Sequence, residues 1–467
     1  MSAETPPLAL GDLADCFEGA VPAVIATAAA DGTPNVTYLT KVRRVDDERV
    51  ALSNQFFSKT SRNLVENPRA SVLVIEPTTY DQFRLSLVYE RTDRRGPVFE
   101  RLREDVDVVA ALEGMQDVFK LRTADIYRVV HIEQVLAAVH HAGDETRPVS
   151  RRTRQDVLDA GHVAELGARL SRCPDLDTLV DATVAGLAEL FGYEHSLLLL
   201  LDEKGDRLYT IASHGYADQG VGSEVAVGDG IAGMAAARCH PLTMGDMHIT
   251  ARYSRSIRRS YEDTGGVGPG REVPVPGLKR ARSRVAVPAM ALGQLVGVLM
   301  VESMEAVAFG PADEAVLGMA ASLVANAIEV ERARERAANV PAGPVSPAPA
   351  PPAAEEATLV RFFAVDGSTF VGGDYLVKGV AGRILWSLLR HYQDEARVEF
   401  TNREVRLDPT LELPEFRDNF ESRLILLKRR LDERQAPIRI EKTGRGRFRL
   451  AVDTPVRLDC VDRTDTS

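Results

Sequence analysis

Cysteine is scarce in this chain, and its spacing excludes two common kinds of site. Four cysteines occur in 467 residues, at Cys16, Cys173, Cys239 and Cys460, and no two of them form a C-x-x-C pair. Widely separated cysteines argue against a disulfide scaffold and against a zinc site, so we expect no bound metal. The same usage is typical of a reducing compartment and predicts a cytoplasmic protein.

Long apolar runs and an export signal are also missing. The longest apolar stretch, Val285 to Val301, is interrupted by a proline and by Leu292-Gly293-Gln294, which predicts a hairpin turn between two strands. A stretch broken in this way is too short to span a membrane. The N-terminal segment has neither the basic nor the apolar region of a secretory signal. We therefore expect no membrane association and no export.

Positive charge is in deficit, with 57 basic residues against 68 acidic ones and a net charge of -11. The chain as a whole repels polyanions, so a nucleic-acid role would need a locally basic segment. Hydrophobic residues at 45% and charged residues at 27% are ordinary for a globular protein. At roughly 100 to 200 residues per domain, the length predicts three or four folding units.

Two segments divide the chain. The tract from Pro341 to Ala354 favours extended polyproline geometry, and the polar, basic segment from Ala142 to Gln155 separates strand-like from helix-like sequence. Before the proline tract, Pro311 to Ala338 has the apolar spacing of one long amphipathic helix. We expect domains over residues 1–141, 164–338 and 358–467, joined by linkers over 142–163 and 339–357.

The first domain is rich in short alternating strands, which predict a small antiparallel barrel. The strands are expected over Ala23 to Ala28, Asn35 to Val42 and Arg49 to Asn54. A short helix capped by Ser58 follows them, with Lys59 and Arg62 in its first turn. The helix dipole disfavours cations there, and a bound phosphate would satisfy both the cations and the free backbone N–H groups. Composition alone favours the alternative, a solvated basic turn.

The segment GTPNVTYLTKVRRVDDERVALSNQFFSKTSRNLVENPRASVLVIEP resembles the flavin-binding split barrel of the pyridoxamine 5'-phosphate oxidase-like group. In that group the basic turn holds the phosphate of FMN, and the cofactor usually lies at the interface of a dimer. The resemblance implies that Lys59, Thr60 and Arg62 hold the phosphate. It also implies contacts with the ribityl chain and the ring from six strand residues: Tyr38, Leu39, Thr40, Ser53, Asn54 and Gln55.

The chain departs from that group in one respect. The arginine-rich C-terminal substrate motif of the true oxidases is absent, which puts vitamin B6 oxidation in doubt. No Ser/His/Asp set is legible, and a flavin would carry any redox chemistry. We therefore assign no catalytic residue.

The middle domain contains GDGIAGMAAARCHPLTMGDM, then RSRVAVPAMALGQLVGVLMVES, then the long helix. This order resembles a GAF domain, a sensory or dimerisation module, and implies that the long terminal helix pairs with its twin in a homodimer. Its glycine-rich turn lacks the Lys-Ser/Thr of a P-loop, so we interpret it as a structural turn into a helix capped by Asp229. Cys239-His240 is more simply a turn than a tetrapyrrole attachment site.

The C-terminal domain is predicted to contain short strands, three helical elements and a final hairpin. They are expected over Thr358 to Val377, Ala381 to Tyr392, Asn402 to Leu407, Glu415 to Arg434 and Ile438 to Leu450. This order resembles the winged-helix domain of response-regulator transcription factors, which implies binding to double-stranded DNA. The implied contacts are Arg423 and Arg430 on the exposed face of the long helix and Lys442, Arg445 and Arg447 on the wing.

The distribution of charge supports DNA contact by the wing better than DNA contact by the long helix. The hairpin holds five basic residues and one acidic residue, whereas the long helix holds six basic and five acidic ones. A winged helix used for protein contacts is therefore the alternative.

These expectations combine into a multidomain α+β protein with an N-terminal antiparallel split β-barrel, a central GAF α/β sandwich with a long terminal helix, and a C-terminal winged helix. The predicted function is a cytoplasmic, homodimeric, FMN-binding sensor with a DNA-binding output. The alternative is an FMN-dependent oxidoreductase whose GAF and C-terminal domains serve regulation or assembly.

Overall fold

Three α+β units follow one another along the chain in the computed structural model. It describes residues 8–17, 22–55, 59–76, 81–112, 119–136, 160–216, 220–245, 277–278, 281–305, 308–337, 357–411, 413, 420–444 and 446–461. We call the units the barrel domain, the middle domain and the C-terminal domain. No helix in these ranges is long and apolar enough to cross a membrane.

The barrel domain is a curled antiparallel sheet of seven strands in the order β2-β1-β5-β6-β7-β4-β3. Its elements are a 3-10 helix (Leu10–Phe17), β1 (Ala23–Ala28), β2 (Pro34–Leu39), β3 (Val42–Arg44), β4 (Arg49–Asn54), α1 (Lys59–Glu66), β5 (Arg69–Ile75), β6 (Gln82–Asp93), α2 (Pro97–Leu112) and β7 (Thr123–Leu136). Alternation of buried and partly exposed residues along β1 and β5 turns one face of the sheet into a core that includes Ile25, Val72 and Leu85.

The middle domain is built on a six-stranded antiparallel sheet in the order β10-β9-β8-β13-β12-β11. Its elements are α3 (Ala160–Ser171), α4 (Leu176–Phe191), β8 (His195–Leu201), β9 (Arg207–His214), β10 (Glu224–Ala226), α5 (Gly230–Arg238), β11 (Leu242–Met244), β12 (Ser283–Ala291), β13 (Gln294–Ser303) and α6 (Pro311–Ala337). Helices α3, α4 and α6 pack together. The predicted hairpin turn is confirmed, with Leu292 and Gly293 at φ 49° and 76° between β12 and β13.

The C-terminal domain has two small sheets around three helices. Its elements are β14 (Thr358–Phe363), β15 (Ser368–Val371), β16 (Asp374–Val377), α7 (Gly379–Glu395), β17 (Glu399–Thr401), α8 (Asn402–Arg406), a 3-10 turn (Pro409–Leu411), α9 (Phe420–Glu433), β18 (Ile438–Gly444), β19 (Arg447–Val452) and β20 (Val456–Val461). The sheets run β16-β15-β14-β20 and β17-β19-β18. The winged-helix assignment stays a prediction.

Two local expectations are corrected, and one helix was not expected. The strand expected over Asn35 to Val42 is split between β2 and β3, because the chain turns where Thr40 and Lys41 meet the end of β4. Helix α2, which sequence reasoning missed, packs on α5 of the middle domain. Asp229 precedes α5, but its side chain makes no capping hydrogen bond within the described residues. The turn instead brings the backbone so close to Gly233 that a Cβ at this position would lie 2.2 Å from the carbonyl oxygen of Ala226.

Candidate functional site

The residues predicted to hold a flavin lie on three adjacent elements of the barrel domain. Tyr38 and Leu39 end β2, Ser53 and Asn54 end β4, and Lys59, Thr60 and Arg62 lie in the first turn of α1. The predicted N-cap Ser58 lies outside the described residues. Six of the nine predicted residues are buried, namely Leu39, Thr40, Ser53, Asn54, Gln55 and Thr60. Tyr38, Lys59 and Arg62 are exposed.

Hydrogen bonds join the two strand ends. Thr40 donates its hydroxyl to Oε1 of Gln55 over 2.5 Å, and the backbone N–H of Lys41 donates to Oγ of Ser53 over 3.0 Å. Gln55 is only 3% exposed, and its Nε2 finds no acceptor among the described residues. A buried amide without an acceptor is destabilising. This donor is therefore suited to a ligand that brings its own acceptor.

A buried carboxylate that sequence reasoning missed fixes the end of β4. Asp125 is 3% exposed and accepts hydrogen bonds from Asn54 Nδ2 at 2.9 Å, Thr92 Oγ1 at 2.7 Å and Thr123 Oγ1 at 3.0 Å. Asn54 Nδ2 also reaches Oγ of Ser61 in α1 at 3.3 Å. The signal in the sequence was a carboxylate two residues into the strand, between Ala124 and Ile126. The network ties α1 to the sheet and orients the strand end.

The cations of α1 project to solvent while its buried side anchors the helix. Thr60 accepts a hydrogen bond from Nδ2 of Asn35 at 2.9 Å, so its hydroxyl is directed toward the sheet. The pKa of Asp31 is lowered mainly by hydrogen bonds from Thr33, with a smaller contribution from the charge of Lys59. Lys59 thus lies near one acidic loop residue. The arrangement leaves the basic face of α1 accessible to an anion.

A polar cleft separates this strand end from the middle domain. Its volume is about 340 Å³, and its lining includes Lys41, Arg43, Arg101, Asp105, Thr243 and Glu314. Ion pairs cross it: Arg43 contacts Asp105 at 2.6 Å within the barrel domain, and Arg101 contacts Glu314 of α6 at 3.0 Å. Lys41, which lines this cleft, directly follows Thr40 of the candidate site.

Arg423 and Arg430 were expected on an exposed face of the long helix, and the expected exposure is wrong. Arg423 is 6% exposed and donates two hydrogen bonds of 2.8 Å to the carboxylate of Glu203 in the middle domain. The Arg430 side chain is 11% exposed and donates to the carbonyl of Leu376 at 3.1 Å. Both are covered because α9 packs on the middle domain and on β16. Whether either residue contacts DNA stays a prediction.

The wing residues have different surroundings. Lys442 contacts Asp175 of the middle domain at 2.8 Å, and Arg447 is exposed. Arg445 lies outside the described residues. The wing is therefore more open to a polyanion than α9 is.

Asp177, in the first turn of α4, forms ion pairs with two cationic side chains of α9. Its carboxylate contacts Nζ of Lys428 at 3.0 Å and Nη2 of Arg429 at 2.7 Å. Burial would raise the pKa of Asp177, but the hydrogen bonds and charges of Arg429 and Lys428 outweigh it and lower the pKa below the usual value.

The contact between α9 and the middle domain should therefore weaken in acid. A carboxylate whose pKa is lowered by folding stabilises the contact at neutral pH, and this contribution is lost as the pH falls through the lowered pKa. We expect the amides of α9 to exchange faster below about pH 4, after correction for intrinsic rates. Hydrogen exchange measures this. In Asp177→Asn the pH dependence should be smaller, and an equal dependence in both proteins would contradict the assignment.

Two family models match parts of the chain. The model described as GAF domain matches residues 173–329, and the model described as pyridoxamine 5'-phosphate oxidase matches residues 11–129. Neither span reaches the C-terminal domain. Comparison with curated proteins gives no match.

Solved structures with similar parts come from several bacteria. An FMN-binding protein from Syntrophomonas wolfei subsp. wolfei is 16% identical, covers 27% of this chain and 85% of its own, and has a TM-score of 0.23. The GAF domain of a phosphoenolpyruvate-protein phosphotransferase from Coxiella burnetii is 18% identical, covers 39% of this chain and 99% of its own, and has a TM-score of 0.32. Free methionine-R-sulfoxide reductase from Neisseria meningitidis is 20% identical, covers 38% of this chain and 93% of its own, and has a TM-score of 0.31.

With the fold and the family matches together, the barrel domain is pyridoxamine 5'-phosphate oxidase-like and the middle domain is a GAF domain.

Proposed function

We propose that this protein is a flavin-binding sensor in which the barrel domain binds FMN, the GAF domain senses or dimerises, and the C-terminal domain is a winged helix that delivers the output through DNA. The observation that carries the flavin proposal is the buried end of β4. There Gln55 presents an amide for which the described part of the chain offers no acceptor, one short loop before the two exposed cations of α1. A ligand with a polar ring and a phosphate would use both features.

Each group in this site has a distinct task in the proposal. Lys59 and Arg62 supply charge-assisted hydrogen bonds to the phosphate, and the hydroxyl of Thr60 orients the first turn of α1. Gln55 donates its amide, while Thr40 holds that amide in place through its hydrogen bond of 2.5 Å. FMN, when bound, supplies one- or two-electron redox chemistry. Asp125 keeps the strand end oriented.

An absorption spectrum of the purified protein tests the proposal directly. We expect the near-ultraviolet and blue bands of an oxidised flavin, and acid extraction should release FMN as identified by mass. A protein that stays colourless after incubation with excess FMN would overturn the flavin-binding function. The same spectrum distinguishes haem or bilin from flavin.

Dimerisation through α6 is part of the proposal. Met319, Leu323 and Val330 are 45%, 38% and 51% exposed and recur at i, i+4 and i+11, which places them in one stripe. An apolar groove of about 350 Å³ runs between this stripe and α3. A second copy of the same helices fits such a surface, because a closed two-fold pairing covers the stripe on both protomers.

Charge introduced into the stripe should separate the dimer. We expect the double change Leu323→Glu, Val330→Glu to give a monomer at about 10 μM, because burying unpaired carboxylates opposes association. Light scattering measures the mass of the full chain. Val365→Glu, which alters an exposed apolar residue of the C-terminal domain, serves as the control and should stay dimeric. A dimer in both variants would contradict pairing through α6.

The wing should supply much of any DNA affinity. Replacing Arg445 and Arg447 by alanine is expected to lower the log-log salt slope by about 1 to 2, since each lost phosphate contact removes roughly 0.9 of a released counterion. Fluorescence anisotropy of a labelled duplex at several salt concentrations measures the slope. Arg361→Ala with Arg457→Ala removes the same charge from the other sheet and should leave the slope unchanged. Equal slopes in all three proteins would contradict a DNA-binding wing.

A further inference from the structure

The two sides of α9 are buried against different partners. Phe420, Leu424, Leu427 and Leu431 pack into the core that the C-terminal domain shares with the GAF domain. Ser422, Leu426 and Arg429 follow one another at i, i+4 and i+7 on the other side, yet Ser422 is 1% exposed and Leu426 is 3% exposed. Helix α9 contacts α4 and β9 of the GAF domain. The GAF domain therefore covers the side of α9 that its own domain leaves open.

Ion pairs hold this contact. The Arg423 and Glu203 side chains are 8% and 7% exposed, and the Arg423 guanidinium lies 3.7 Å from the ring centroid of Tyr209. Arg429 contacts Asp177 at 2.7 Å and Asp181 at 2.8 Å, and it donates to the carbonyl of Ile211 at 3.0 Å. The acidic residues of the GAF domain thus engage two cations of α9 that would otherwise be available to an anion.

The charge of Arg332, a residue of α6, also acts on Tyr209. Burial raises the pKa of Tyr209, and the charges of Arg423 and Arg332 oppose that rise, so both guanidiniums lie within electrostatic range of the same phenol. Arg332 belongs to α6, the helix proposed to form the dimer.

We propose that the GAF domain holds the C-terminal domain closed by masking the basic side of α9, and that opening this contact releases α9 for DNA. The inference rests on the proposed DNA output. In the closed arrangement α9 cannot enter a major groove, because Arg423 and Arg429 are engaged with Glu203 and Asp177. The apparent affinity for DNA is then reduced by the fraction of molecules that are open.

The experiment compares full-length proteins. Asp177→Asn with Glu203→Gln removes both carboxylates from the contact while nearly preserving side-chain volume. Glu165→Gln with Glu189→Gln is the matched control, because it makes the same change in charge at an exposed cluster around Arg169. Two measurements are made: hydrogen exchange of the α9 amides, and anisotropy of a fluorescein-labelled 30-base-pair duplex of mixed sequence at low salt.

We expect the double variant to exchange α9 amides at least tenfold faster and to bind the duplex at least tenfold more tightly, with the control within about twofold of the unmodified protein. If the unmodified protein binds DNA and the double variant binds no more tightly, this inference fails and the DNA output survives. If α9 exchanges faster but no variant binds DNA at low salt, the DNA output fails as well. If hydrogen exchange in the double variant is unchanged, the variant Glu203→Arg is measured next, because it places a second positive charge beside Arg423. Unchanged exchange of the α9 amides in Glu203→Arg also overturns the closed state.

Discussion

Replacing Lys59 and Arg62 by alanine is expected to weaken FMN binding by two or more orders of magnitude. Each charge-assisted hydrogen bond to a phosphate contributes about 1.5 to 3 kcal/mol, and each 1.4 kcal/mol is about tenfold in affinity. Both side chains are exposed on α1, so their removal leaves the barrel core intact. Titration of apoprotein with FMN, followed by quenching of flavin fluorescence, measures the affinity.

A matched control separates a phosphate contact from a general loss of charge. Arg84→Ala with Arg103→Ala removes two exposed arginines of the same domain, each of which pairs with a nearby glutamate and lies outside α1. We expect this control to bind FMN within about threefold of the unmodified protein, since such pairs contribute little. Equal affinity in the α1 variant and the control would place the phosphate elsewhere.

Replacing Arg284 by methionine should cost about 3 to 5 kcal/mol of local stability, because it leaves a buried carboxylate without its cation. Arg284 and Glu302 are cross-strand partners in β12 and β13, with side chains 5% and 0% exposed. Glu302 also accepts from the hydroxyl of Tyr216 at 2.8 Å and from the N–H of Leu278 at 2.7 Å. The amides of β12 and β13 should exchange at least a hundredfold faster in the variant.

A second substitution identifies the cause. In the double change Arg284→Met, Glu302→Gln the buried charge is gone and an acceptor for Tyr216 is kept, so we expect much of the protection to return. Arg169→Met removes an arginine from an exposed pair of the same domain and should cost less than about 1 kcal/mol. If the double change is as unprotected as Arg284→Met, loss of packing rather than an unpaired charge explains the effect.

Local patterns in the sequence predicted most of the elements near the sites. Alternating burial in β1, the long helix α6 and the Leu292-Gly293 turn are confirmed, because each depends on neighbours in the chain. Short-range preferences of this kind survive in any tertiary context that supplies a core. Sequence reasoning missed helix α2, which packs both on β4 and β7 of its own domain and on α5 of the middle domain.

That the site binds a flavin was predicted only through resemblance. The hydrogen-bond partners within the site became visible only in the fold. The sequence places Thr40 and Gln55 fifteen residues apart, and pairing of the strands brings them to 2.5 Å. The buried carboxylate that orients Asn54 lies 71 residues further on, in β7. Long-range pairing of this kind depends on sheet register, which no local pattern specifies.

By itself the sequence determined the charge balance of the long helix and the basic character of the hairpin that follows it. Only the tertiary structure decided which cationic side chains stay exposed to solvent and which are buried in ion pairs. Arg423 looks in the sequence like an exposed cation on an amphipathic helix, yet it is buried on Tyr209 with its charge matched by Glu203, 220 residues away. The physical reason is that burial of an arginine depends on a specific carboxylate and a specific ring surface from another domain. Those partners become neighbours only when the domains pack.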